Sequence, residues 1–211
     1  MIFITFEGPE GSGKSTQIRL LEKYLIKKGL TVVNTREPGG SMLAEKIRKL
    51  LLNSANISIA PPAELLLYLA SRAQHVNDKI KPALEKGQAV ICDRFSDSTM
   101  AYQGYARGLS KKMIKEMNEF AAYGLKPDLT IYIDIDVNTG LRRAHKRSGK
   151  KDRLESEKTA FHNKVRKGYL EIAESEPLRI KIINGKETVG QIQKKIADYV
   201  DILLNKRPGL C

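Results

Sequence analysis

Gly8-Pro9-Glu10-Gly11-Ser12-Gly13-Lys14-Ser15 matches the spacing G-x-x-x-x-G-K-[S/T] at every fixed position. Its flanks suit it. Ile2–Phe6 before it is short, apolar and β-prone, as a buried strand is; after it, Ile18, Leu21, Leu25 and Ile26 recur at helical spacing. Glycines let backbone N–H groups curl around an anion, and the start of the following helix adds partial positive charge. In such a loop Lys14 reaches terminal phosphates and the Ser15 hydroxyl can hold a Mg²⁺ ion.

Working outward, strand-like runs at Thr31–Thr35, Ala89–Cys92, Leu129–Ile135 and Ile180–Ile183 alternate with helical patterns. Those patterns are Lys14–Lys28, Leu43–Leu52, Ala63–Lys86, Lys111–Tyr123, Val137–Arg147, Lys158–Ala173 and Val189–Leu204, with Pro82 expected to bend or end the long one. Strands alternating with helices predict βαβ units: an α/β domain with a five-stranded parallel sheet covered on both faces. No repeat or linker marks a second domain, so 1–204 reads as one domain and 205–211 as a loose tail. Ligands in such sheets sit beyond the carboxyl ends of the strands. That rim collects the Gly8 loop, Arg36–Ser41, the segment from Asp93 and the basic stretch after Val137.

Two carboxyl-end segments carry further chemistry. Val90-Ile91-Cys92-Asp93-Arg94-Phe95 ends a buried run in an acid, the usual place for a carboxylate near Mg²⁺ in a phosphate-loop protein; a loop-capping acid is the alternative. Arg94 is a fork donor suited to phosphate, or else the partner of Asp93 or Glu37 in an ion pair. Tyr68 and Arg72 are four residues apart and share a helix face, where they could stack on a planar base and hydrogen-bond it; a core tyrosine beside a surface arginine fits the same spacing. His75, His145 and His162 lack ligand spacing and read as surface residues.

The chain has 211 residues and a net charge of +13. Its densest basic cluster is Arg142, Arg143, Lys146, Arg147, Lys150, Lys151 and Arg153, with no aromatic residue on which a base could stack. That disfavours single-strand nucleic-acid binding and leaves anionic small molecules or a solvated surface. No apolar run could span a bilayer and no export signal is expected. Cys92 and Cys211 suggest neither a disulfide framework nor a metal site, which points to the cytoplasm.

Taken in order, Phe6–Ser15, Thr35-Arg36-Glu37-Pro38-Gly39-Gly40, Tyr68…Arg72, Asp93-Arg94-Phe95…Ser98-Thr99…Ala101-Tyr102-Gln103-Gly104, Lys126–Thr130 and Asp152-Arg153 resemble the thymidylate kinase family, up to about Leu204. The resemblance implies a P-loop NTPase fold with a basic lid at about 142–153, and transfer of phosphate from ATP-Mg²⁺ to dTMP in dTTP biosynthesis. It implies ATP binding by Gly8, Pro9, Glu10, Gly11, Ser12, Gly13, Lys14, Ser15, Thr16 and Arg142, and Mg²⁺ binding by Ser15 and Asp93. For the acceptor it implies Arg36 and Arg94 on the phosphate, Tyr68 stacked on thymine, Arg72 on O4, Thr99 and Gln103 at the base edge, Tyr102 beneath the sugar, and Ser98 as a further substrate-binding residue. Glu10 would meet the 3′-hydroxyl, and Arg153 would reach the transferred phosphoryl group. Gly11 stands where some members carry an arginine, which suggests the bacterial type, with lid arginines. Phe95 departs from the tyrosine or histidine common there. The resemblance also implies a homodimer and no nucleic-acid partner. A P-loop kinase for another nucleotide or nucleoside, and a nucleic-acid-stimulated ATPase, are the competing readings.

Overall fold

The strands alternate their side chains between two apolar layers, so both faces of the sheet must be covered. Parallel strands β1 (Ile2–Glu7), β2 (Val32–Arg36), β3 (Ala89–Asp93), β4 (Leu129–Asp134) and β5 (Ile180–Asn184) lie in the order β2-β3-β1-β4-β5. The structure is a computed structural model that describes residues 1–53, 58–148 and 152–206. On one face Ile2, Ile4 and Phe6 of β1 join Ile91, Ile131 and Ile183 under helices α1 (Lys14–Lys27) and α9 (Val189–Asn205). On the other, Phe3 packs with Val90, Cys92 and Phe95 under α3 (Pro61–His75), a π-helical turn (Val76–Ile80) and α4 (Lys81–Glu85). The remaining helices are α2 (Met42–Leu52), α5 (Ser96–Thr99), α6 (Lys111–Ala121), α7 (Val137–Ser148) and α8 (Thr159–Ser175).

The expected architecture is therefore present, with two local differences. Pro82 does not end the helical stretch: it falls in the first turn of α4, directly after the π-helical turn, where a missing N–H is tolerated. The segment Ser96–Ala106, which falls outside the helical patterns of the sequence, is a short α5 followed by a π-helical turn over Met100–Ala106. Its Asp-Ser-Thr content conceals the helix, because such residues favour turns until tertiary packing overrides them. Helix α9 runs through Asn205, so the chain stays helical to the edge of the expected tail. The tail from 207 onward and the lid positions Lys150 and Lys151 lie outside the described residues, as does the side chain of Arg147.

Parallel register sets the site. Phe6 and Arg36 both lie opposite Asp93, and Glu7 opposite Tyr132, so Glu7, Arg36 and Asp93 arrive together at the carboxyl rim. The loop after β1 is squeezed between strand ends and α7. A Cβ on Gly11, whose φ is +69°, would lie 2.1 Å from the Gly140 carbonyl oxygen. No side chain of any kind fits there without moving α7, which is the steric reason for glycine at this loop position. Leu21 ties α1 to the central strands with no exposed surface. Leu21→Ala should cost about 2–5 kcal/mol, read as a lower midpoint in urea unfolding at unchanged slope.

Candidate active site

Beyond the strand ends lies a cavity of about 520 Å³, a usual size for a small-molecule site. One end is the phosphate loop, Glu10–Thr16. The other is walled by Tyr68, Arg72, Thr99, Tyr102 and Gln103, with Arg36, Asp93, Arg94 and Ser98 between.

At the loop end, the buried Lys14 Nζ donates to the carbonyl oxygens of Gly8 and Pro9 at 3.0 and 3.1 Å. Burial and the Arg94 charge hold its pKa below the usual lysine value, against the pull of Glu10, Asp93 and Glu7. The main chain closes behind it through Thr16 N–H and Gln17 N–H to Gly13 O, which starts α1. Asp93 Oδ1 is buried with no hydrogen-bond partner, and Ser15 and Asp93 line the same cavity.

Arg94 occupies the centre. Its φ of +72° is strained for an arginine and aims the side chain back across the site. Its guanidinium pairs with Glu10, donates to Tyr169 Oη at 3.1 Å and Ser98 Oγ at 3.4 Å, and lies over the Tyr102 ring. Glu10, rather than Asp93 or Glu37, is its ion-pair partner. Beneath it, Glu7 is completely buried. Its Oε1 accepts from Phe95 N–H at 2.8 Å, and its Oε2 lies 2.6 Å from Ser98 Oγ and 2.7 Å from Tyr169 Oη. Burial, with Asp97 adding to it, pushes Glu7 up to about 7, although Arg94 and the hydroxyl bonds oppose this.

At the far end two buried carboxylates hold the walls. Glu37 accepts from Arg72 Nε at 2.8 Å and His75 Nδ1 at 3.1 Å, while His75 Nε2 lies 2.7 Å from Thr35 Oγ1. Arg72 is 2% exposed, donates also to Asn118 Oδ1 and packs over Phe95. It is thus a buried arginine held from behind, not a surface one. The Phe95 ring serves as the face on which that guanidinium rests. Glu64, with no exposed surface, accepts from Gln103 Nε2 at 2.9 Å and Arg107 Nε at 3.2 Å. Burial opposes its charge, but these bonds and the charges of Arg107 and Arg153 keep its pKa below the usual value.

Several sequence-based placements change. Arg153 is not turned toward the phosphate loop. Its Nη2 pairs with Glu64 at 2.6 Å and its Nε donates to Leu51 O at 2.8 Å, because a buried carboxylate left short of cations is costly. Arg142 is exposed on α7 and does not line the cavity. Neither His75 nor His162 is a surface residue: both are buried, His75 against Glu37 and His162 in the cavity wall, where burial lowers its pKa. His145 is exposed as expected.

Arg36 lines the cavity but is half-exposed, with both Glu45 oxygens within 3.1 Å of Nη2. Arg48, which sequence reading passed over, lines the cavity beside it and donates to Pro38 O at 2.7 Å. Glu64 and His75 carried a readable signal. Glu64, Tyr68, Arg72 and His75 follow each other at helical spacing, so extending the Tyr68–Arg72 face in both directions reaches them. Tyr169 and Arg107 carried none, because α8 and the segment after α5 meet only in three dimensions.

A glycine phosphate loop, an acid on the adjacent strand end and an arginine-lined acceptor cavity define the class of P-loop nucleotide kinases. The profile of the family "Thymidylate kinase" matches residues 6–196. A thymidylate kinase of Geotalea daltonii is 50% identical over 209 residues, covering 96% of this chain and 98% of that protein. One from Clostridium novyi is 45% identical, covering 94% and 97%. The crystal structure of thymidylate kinase from Ehrlichia chaffeensis superposes with a TM-score of 0.76 at 35% identity, covering 95% of this chain and 98% of that one. The chain belongs to the thymidylate kinase family.

Glu7 makes folding stability depend on pH. Its folded pKa lies above its unfolded value of about 4.5, so its contribution is full below that pH and is lost as pH rises through about 7. The loss amounts to roughly 3 kcal/mol at 1.36 kcal/mol per unit. Denaturant titrations from pH 4.5 to 8 should show wild-type stability falling relative to Glu7→Gln; parallel curves would refute the shift.

Proposed function

We propose that this chain transfers the γ-phosphoryl group of ATP to the 5′-phosphate of dTMP, giving ADP and dTDP for dTTP biosynthesis. The observation that carries the acceptor assignment is the hydrogen-bond polarity at the base end. Glu64, an ionised carboxylate, only accepts, so the Gln103 amide must present its NH₂ to it, and this leaves the Gln103 carbonyl as an acceptor. Arg72 only donates. An acceptor beside a donor suits thymine, whose N3–H donates and whose O4 accepts. Cytosine reverses both groups, and a buried polar pair left facing its own kind is rejected strongly. Tyr68 and Tyr102 supply the flat walls; desolvation raises the Tyr68 hydroxyl well above its usual range and takes Tyr102 up to about 12, so both stay neutral.

The reaction needs little covalent help, since the attacking oxygen belongs to an ionised phosphate; the protein positions and neutralises. Lys14 and the loop N–H groups take the donor phosphates. Arg94 and Arg36 hold the acceptor phosphate in line, with Arg48 adding positive charge beside them. Glu10, already tied to Arg94, is assigned to the sugar 3′-hydroxyl on this reading. Ser15 and Asp93 would hold Mg²⁺, and the unpartnered Asp93 oxygen supports that reading. Among the described residues no group of three or more His, Cys, Asp or Glu side chains could hold a metal by itself. That suits Mg²⁺, which takes one or two protein ligands and fills its shell with phosphate and water. Bound there, the ion would offset charge on the phosphates. Arg153 anchors the segment carrying Asp152, Leu154 and Glu155 into the cavity wall, through Glu64.

Among the described residues no helix is long and apolar enough to cross a membrane, and we place the enzyme in the cytoplasm. Leu66 on α3 and Met113 and Phe120 on α6 are large, apolar and exposed, on helices that pack together. This supports a homodimer across that face.

An acceptor panel in a coupled ADP-release assay should give dTMP the highest kcat/KM, with dUMP lower. For dCMP it should fall by at least roughly 10³-fold, and dGMP and AMP should be nearly inert. Turnover of dCMP or dGMP at the dTMP rate would refute the assignment of Arg72 and Gln103; ATPase activity stimulated by DNA or RNA would favour a nucleic-acid enzyme instead. Size-exclusion chromatography with light scattering should return a dimer, and Phe120→Glu combined with Leu66→Glu should return a folded monomer. A monomeric wild type would overturn the dimer.

A further inference from the structure

Three oxygen atoms beneath Arg94 form a closed triangle. Glu7 Oε2 lies 2.6 Å from Ser98 Oγ and 2.7 Å from Tyr169 Oη, and the two hydroxyl oxygens lie 2.7 Å from each other. Every edge is hydrogen-bond length, so three edges need three hydrogens. Ser98 and Tyr169 supply one each. Neither can point its hydrogen outward to Arg94, because a guanidinium only donates: Nη1 already sends N–H groups to both hydroxyls, at 3.4 and 3.1 Å. With an ionised Glu7, one edge would be a bare contact between two oxygen lone pairs. A proton on Glu7 supplies the third hydrogen. Each hydroxyl then donates once within the ring, accepts once within it and accepts once from Arg94.

We propose that Glu7 is a positioning residue for Arg94, acting as a neutral carboxylic acid whose proton closes a ring with Ser98 and Tyr169 and turns a lone pair of each hydroxyl toward the guanidinium. The burial of Glu7 and its upward shift to about 7 agree with this. The charged or titratable groups around it are Cys92 on β3, Arg94 after β3, Asp97 on α5, Lys14 on α1, Tyr102 in the π-helical turn and Tyr169 on α8. Arg94 needs such a floor: its backbone is strained, and its ion pair with Glu10 holds it from one side only. The ring, contributed by β1, α5 and α8, holds it from beneath, so the consequence for catalysis is felt at the acceptor phosphate. The inference rests on the reading of Arg94 as the acceptor-phosphate arginine.

Tyr169→Phe tests it. The variant keeps the ring stacked on Tyr132, at 5.0 Å between centroids, and loses only the hydroxyl. At about pH 6.5, where Glu7 is mostly protonated, KM for dTMP should rise about tenfold, worth about 1.4 kcal/mol, with KM for ATP within about twofold of wild type. The ratio of variant to wild-type KM should shrink toward about pH 8.5, as wild type loses the ring proton; taking a ratio cancels ionisation of dTMP itself. Ser98→Ala should behave alike and serves if Tyr169→Phe does not fold. An unchanged KM for dTMP in a folded variant overturns the positioning role, and a ratio flat across pH overturns the neutral acid. Arg94→Lys separates the two levels. If it leaves KM for dTMP unchanged, the reading of Arg94 fails; if it raises KM while Tyr169→Phe does not, only the ring fails.

Discussion

A guanidinium packed inside a protein is costly to leave alone, and in this protein buried or half-buried carboxyl groups hold the guanidiniums still. Glu37 holds Arg72, Glu64 holds Arg107 and Arg153, and Glu10 holds Arg94. Each pairing removes the cost of a lone buried charge. Arg72 and Arg94, which line the cavity, are thereby oriented in advance, so on the proposed reading little rotational freedom remains to be lost when a nucleotide binds. The sheet makes this possible. Parallel strands deliver Glu7, Arg36 and Asp93 to a single rim, and α3 lies along the same rim with its Glu64–His75 face inward.

The same carboxylates impose polarity at the base end. Glu64 dictates which end of the Gln103 amide faces it, and so which end is left over. On the proposed reading, base specificity begins with a residue that need not touch the base at all. Because Glu64 also binds Arg153, the segment that carries Asp152 and Leu154 into the cavity wall is fastened to the same anchor. The orientation of the Gln103 amide and the anchoring of that segment thus depend on one fully buried side chain, which keeps its charge against the pull of desolvation because Arg107, Gln103 and Arg153 surround it.

Much of this was legible in the residues as written. The loop Gly8–Ser15 announces itself because its function is carried by backbone, and backbone needs appear as glycines at set spacing. The order of strands and helices is legible because apolar periodicity is local. Asp93 and Arg94 are legible because a strand end is a place a sequence can mark. Tyr68 and Arg72 were visible as a face, yet the face read equally as a core tyrosine and a surface arginine. Only the arrival of Glu37 from the segment after β2 and Asn118 from α6 buries that arginine and decides between them.

What the amino-acid order determined by itself was a phosphate loop between a strand and a helix, a parallel sheet, and a set of cations near its rim; these rest on contacts within a few residues. Tertiary structure alone decided which cation serves which partner. Arg153 went to Glu64, His75 went inward to Glu37, and Tyr169, 162 residues from Glu7 along the chain, came to rest against it. The reason is that a charge buried among several candidates takes the partner that geometry brings nearest, and that distance is a property of packed elements rather than of spacing along the chain.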